Sequence, residues 1–183
     1  MMKRVLALVA VLLATAGVAW AADVKSGLAV GEFVGAFDVK DCSGPSEGKT
    51  LCYRCQYGNN PVVAVFTRRL GDDVASLVKQ IDDTVGQNKG KSMKAFVVYL
   101  SDEPDAAEPK LKAMAKTQKL SNTPLTVFQT SEGPDGYKIA RDADVTVMVW
   151  NKGKVQANHA FGKDKLAEKD VKAVVAAAGN VVK

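Results

Sequence analysis

Three cysteines are the residues of this 183-residue chain whose type and spacing point most directly to chemistry: Cys42, Cys52 and Cys55. Cys52-Tyr53-Arg54-Cys55 has two residues between its cysteines, so both sulfurs can meet within one turn and exchange thiolate for disulfide. Arg54, between them, favours the charged form of a neighbouring thiol. The same residues also suit a fixed bridge. A link from Cys52 to Cys55 closes few residues and stabilises modestly, whereas a link from Cys42 to either would constrain more chain. A third reading adds His159, the only histidine, to make a Cys3His set of the kind that holds zinc. Gln56 follows Cys55 where a c-type haem would need histidine, which excludes that cofactor. All three cysteines thus remain disulfide candidates, and Cys52 with Cys55 are the catalytic candidates if the pair is reactive.

Other chemistry-bearing residues read more quietly. His159 lies in Asn158-His159-Ala160-Phe161 and reads as a half-exposed strand residue. A Ser-His-Asp or Cys-His site would have to use it, and no Gly-x-Ser-x-Gly elbow supports the former. Arg68-Arg69 with Asp72-Asp73 reads as a solvated, salt-bridged corner, with an anion site as the alternative. Asp102-Glu103-Pro104-Asp105 fits the preference of a helix start for negative charge. No P-loop, dinucleotide fingerprint or EF-hand loop is present, so no cofactor and no resident metal are expected. The formal net charge is +5. That charge is small and no basic stripe alternates with aromatics, so nucleic acid is not an expected partner.

The compartment bears on the cysteines. Lys3-Arg4 precedes an uncharged apolar run, Val5 to Val18, and Ala19-Trp20-Ala21 places small residues where a signal peptidase reads them. Residues 1–21 are therefore expected to be a cleaved signal peptide. The run is short for a bilayer span, and no membrane span is expected once it is removed. The remaining 162 residues carry a net charge of +3 and all three cysteines. The expected location is outside the cytoplasm, periplasmic or extracellular, where two cysteines pair and one is left odd.

The elements that must position these residues follow from pattern. Residues 22–31 are small and mixed and read as a flexible arm, leaving 32–183 as the folded domain. Glu32 to Asp41 reads as an edge strand, and 43–50 as a loop of turn-formers. Val62 to Thr67 and Ala95 to Leu100 are continuous apolar runs, as in strands buried on both faces. Between them Val74, Leu77, Val78, Ile81 and Val85 fall at helical spacing, with Asp72 as N-cap. A second helix starts near Pro104, with Leu111, Met114 and Ala115 near one face. Leu125 to Phe128 is a short strand and Val145 to Trp150 a longer one. Asn151-Lys152-Gly153-Lys154 is a hairpin turn into Val155 to Phe161. A last helix spans about Asp164 to Ala178. The order predicts a parallel βαβ crossover, then a β-hairpin and a helix, with helices on both faces of one mixed sheet.

That order, with a CxxC in an exported chain, resembles the thioredoxin-like superfamily, and within it the peroxiredoxin-type arrangement. Val30-Gly31-Glu32 through Phe37-Asp38-Val39 is similar to that family's entry strand. Ser121 to Ile139 is similar to its extra strand and the tyrosine-containing turn before the hairpin, and Val145 to Phe161 to its strand–turn–strand. The resemblance implies a thioredoxin-like α/β fold and a thiol–disulfide oxidoreductase acting on protein thiols or disulfides. It further implies that Cys52 attacks and Cys55 resolves. The alternative is a non-catalytic binding or envelope protein on the same fold, with a structural disulfide. Two stretches depart from the family. Thr67 to Asp73, where its redox cysteines follow the first central strand, holds no cysteine. Asp144-Val145-Thr146 stands where it keeps a cis-proline. Cys52 and Cys55 precede the strand instead, which places them nearer the opposite edge of the sheet.

Overall fold

The computed structural model describes residues 24–182; the expected signal peptide lies outside them. In chain order the elements are β1 (Val39–Asp41), β2 (Thr50–Leu51), α1 (Tyr53–Tyr57), β3 (Val62–Thr67), α2 (Asp72–Gln87), β4 (Lys94–Leu100), α3 (Pro104–Thr117), β5 (Leu125–Phe128), β6 (Ala143–Asn151), β7 (Lys154–Gly162) and α4 (Glu168–Asn180). The strands form one mixed sheet in the order β2-β1-β5-β4-β3-β6-β7. The apolar runs at β3 and β4 pair in parallel at its centre, Val65 opposite Val97. On its other side β3 pairs antiparallel with β6, Val65 opposite Val147. The predicted order of strands and helices is present, with boundaries shifted by a few residues. The N-cap of α2 is Gly71, and Asp72 is its first helical residue.

Alternation along the strands divides the core in two. Val63, Val65, Val97, Val127 and Val147 point to the face covered by α2, α3 and α4, through Leu77, Ile81, Leu111 and Val174. Val62, Ala64, Phe66, Phe96, Met148 and Trp150 point to the other face. Both faces carry helix, but unequally: among the described residues the second has only the five-residue α1. The cause is topological. From β3 to β4 to β5 the sheet grows in one direction, and right-handed crossovers that advance in one direction lie on the same face. The second face is therefore closed by irregular chain, residues 24–37 and the stretch 133–139, together with the short α1.

The first of these departs from expectation. Over its described residues the arm 22–31 is packed, not loose. Ser26 and Leu28 are buried. The Ser26 hydroxyl lies 2.7 Å from that of Thr146 and accepts the Ala140 N–H at 2.9 Å. The Asn158 amide donates to the carbonyls of Ser26 and Leu28 at 2.7 and 2.9 Å. The edge strand expected over Glu32 to Asp41 shortens to β1. Phe33 makes only an isolated bridge to Lys154, because the chain there crosses over the second face, where Val34 is buried.

Candidate functional site

Cys52 and Cys55 are bonded to each other, with Cα atoms 5.2 Å apart. The element that presents them, α1, was not expected from sequence. Cys52 is its N-cap, in extended backbone, and its sulfur accepts the Cys55 N–H at 3.0 Å. Serine or threonine does the same work at other helix starts. Tyr53 and Tyr57 stand four residues apart on one side of α1, their rings 5.1 Å apart. Tyr53 stacks on Phe96 at 5.6 Å, and Phe96 meets Trp150 edge-on at 6.1 Å. Gly58, at φ 55°, ends the helix, a backbone region that glycine enters without strain. In sequence, the i,i+4 tyrosine pair and the Gly-Asn-Asn-Pro stop were the available signals.

Two further contacts hold α1 in place. The Tyr53 hydroxyl donates to Asp41 at 2.8 Å. Asp41 is fully buried and also accepts the backbone N–H groups of Ser43, Gly44 and Ser46 at 3.1, 2.7 and 2.8 Å. This carboxylate therefore orders the loop that leads from β1 to the cysteines. Burial, then the bond to Asp41, pushes the Tyr53 hydroxyl above the ordinary tyrosine range, and burial does the same at Tyr57. Sequence reasoning missed Asp41 as a positioning residue, because nothing local marks an acid whose partners lie two to twelve residues on. Arg54, half-buried, donates its Nε–H to the Val34 carbonyl at 3.2 Å. Its guanidinium also lies against Gly153 in the β6–β7 turn, where a Cβ would sit 2.8 Å from it.

The cysteine pair is thus anchored by its neighbours while remaining accessible: Cys55 is exposed and Cys52 half-buried. It sits at the end of the sheet where β3 and β4 begin. Tyr57, at the end of α1, donates to the carbonyl of Ala95, near the start of β4. The far end, where the resemblance keeps its redox cysteines, is occupied otherwise. Arg68 donates to the carbonyls of Ser131, Ala140 and Ala143 at 2.9, 2.9 and 2.6 Å. Arg69 pairs with Asp73 and with Asp144. Both arginines are half-buried; Arg68 ties three carbonyls together through Nε and Nη1 while its Nη2 is buried without a partner, so the corner is salt-bridged but not the solvated one expected. Asp102 likewise accepts the Ser131 N–H and hydroxyl.

Cys42 is a free thiol, fully buried, in the core on the helix-covered face; the residue beside Cys52, Tyr53, belongs to the core on the other. Burial, with Glu108 and Asp41 adding to it, pushes its pKa up to about 12. His159, on β7 opposite Val147, is half-buried, with Nε2 lacking a partner; burial lowers its pKa. The zinc reading therefore fails on geometry. Two of its four ligands are bonded to each other, Cys42 is sealed in the core, and among the described residues no three His, Cys, Asp or Glu side chains are grouped to hold a metal.

No family model matches the chain and no curated protein sequence matches it. Solved structures do. The Chlorobium tepidum protein assigned as the thiol:disulfide interchange protein DsbE superposes with a TM-score of 0.65 at 13% identity, over 85% of this chain and 99% of its own. A Bacteroides thetaiotaomicron protein assigned as a protein disulfide isomerase gives 0.66 at 17% identity, over 87% and 94%. Xanthomonas campestris peroxiredoxin Q gives 0.56 at 13% identity, over 80% and 92%. At such identities the likeness is one of fold: this architecture is the thioredoxin-like one, with four helices on a mixed seven-stranded sheet among the described residues.

Proposed function

We propose that this thioredoxin-fold chain is an exported thiol–disulfide oxidoreductase that exchanges electrons with protein thiols through Cys52 and Cys55. The carrying observation is that the two cysteines are bonded to each other on a surface helix, with Cys55 open to solvent. A disulfide exchanges only when a thiolate can reach one of its sulfurs, and an exposed helical turn admits the thiol of another polypeptide. The fold neighbours assigned to disulfide interchange support the reading. Export is proposed from the Lys3-Arg4 and Ala19-Trp20-Ala21 pattern. The resulting compartment is one in which disulfides persist.

A second reading, a non-catalytic scaffold, draws on one observation: the Arg68–Arg69 network fills the end of the sheet that the resemblance assigns to catalysis. The two separate on redox behaviour. An exchanging pair is reduced by glutathione or thioredoxin and catalyses reduction of insulin by dithiothreitol, and the double variant Cys52→Ser/Cys55→Ser loses that rate. A pair that stays oxidised down to about −300 mV, in a protein without turnover, would end the oxidoreductase proposal.

A further inference from the structure

We infer that the mixed disulfide with the substrate thiol forms on Cys55, and that Cys52 is the sulfur released, the reverse of the order implied by the family resemblance. The inference rests on the proposed exchange activity and assigns the roles within it. It stands on two features of the pair. Cys55 is exposed and Cys52 half-buried, so an incoming polypeptide meets Cys55 first. The Cys52 sulfur already accepts the backbone N–H of Cys55 at 3.0 Å, a donor aimed at the atom that must take up negative charge when the bond breaks. A hydrogen bond to the charged form favours it, and a better stabilised thiolate leaves faster.

A substrate thiolate attacks the Cys55 sulfur; a substrate–Cys55 disulfide forms, the Cys52–Cys55 bond breaks, and Cys52 leaves as a thiolate with the bonding pair. A second thiolate of the same substrate then attacks its own half of the mixed disulfide and releases Cys55. The substrate dithiol is oxidised to a disulfide, and the cysteine pair is reduced. In the opposite direction Cys55 is the nucleophile and Cys52 resolves.

The test uses the oxidised wild-type protein. It is mixed with excess glutathione, quenched in acid within the first turnover, alkylated and mapped by mass spectrometry. The expected result is glutathione on Cys55 with the alkyl group on Cys52, at least tenfold over the opposite arrangement. A second arm uses single variants and insulin as the disulfide partner. Cys52→Ser should accumulate a covalent adduct at least tenfold above Cys55→Ser. Glutathione mainly on Cys52, an adduct mainly in Cys55→Ser, or equal labelling of the two sulfurs overturns the assignment while leaving the exchange activity standing. A wild type that neither takes up glutathione nor reduces insulin removes the oxidoreductase reading, and the assignment falls with it.

Discussion

At the level of single residues, the site depends on groups with no redox chemistry of their own. Asp41 is a buried acceptor for one hydroxyl and three backbone N–H groups. Replacing it with alanine leaves the Tyr53 hydroxyl buried and unpaired and strips three half-buried loop N–H groups of their acceptor, which together costs about 2–3 kcal/mol. Thermal melts should show a midpoint lower by roughly 5–10 °C, and Tyr53→Phe, which removes only one donor, a smaller fall. Cys42 gives a pH signature. Its folded pKa, up at about 12, lies above the ordinary 9.0, so its contribution is intact below pH 9 and is lost as pH rises toward 12. Between pH 9 and 10 the urea unfolding free energy should drop with a slope approaching about 1.4 kcal/mol per pH unit from this group, and Cys42→Ala should remove that part of the slope. His159 acts in the other direction. Its folded pKa lies below 6.5, so its contribution is present above pH 6.5 and fades as pH falls. His159→Gln should flatten the loss of stability between pH 6.5 and 5.

At the level of elements, the second face of the sheet decides how the cysteines are held. Both parallel crossovers place their helices on the first face, so α1 and the segment 24–37 must cover Met148, Phe96 and Trp150. A chain beginning at Glu32 would lose the buried Leu28 and the Ser26 hydrogen bonds, and should melt roughly 10 °C lower, a loss of about 3 kcal/mol. A free arm would leave the melt unchanged. The β6–β7 turn is the other control point. Lys152 and Gly153 have φ of 51° and 72°, the backbone of a two-residue hairpin turn. Gly153→Ala adds backbone strain and places a methyl against the Arg54 guanidinium, so Arg54 must leave the Val34 carbonyl. The expected loss is about 1–2 kcal/mol, read by urea unfolding, together with a changed rate of glutathione attack on the disulfide.

For the molecule as a whole, the Cys52–Cys55 bond closes too short a loop to hold the fold. Loop-closure entropy gives it about 2 kcal/mol, whereas two cores extend across the sheet. The reduced protein should therefore stay folded, with a melt within roughly 4–8 °C of the oxidised one; unfolding on reduction would identify the bond as a staple. How far the sequence carried is consistent with this division. The runs at β3, β4 and β6, the helical spacing of α2 and the Gly-containing turn were legible, because each depends on side chains adjacent along the chain. So was the thioredoxin-like order of elements; Cys52 and Cys55 as the reactive pair stay part of the proposal. Four things were settled only by tertiary contact: the pairing of Cys52 with Cys55 instead of Cys42, the packing of residues 24–31, the use of Asp41 as an anchor, and the placing of three long helices on one face. Each depends on groups brought together from distant stretches or on the order in which strands join the sheet, which local patterning does not encode.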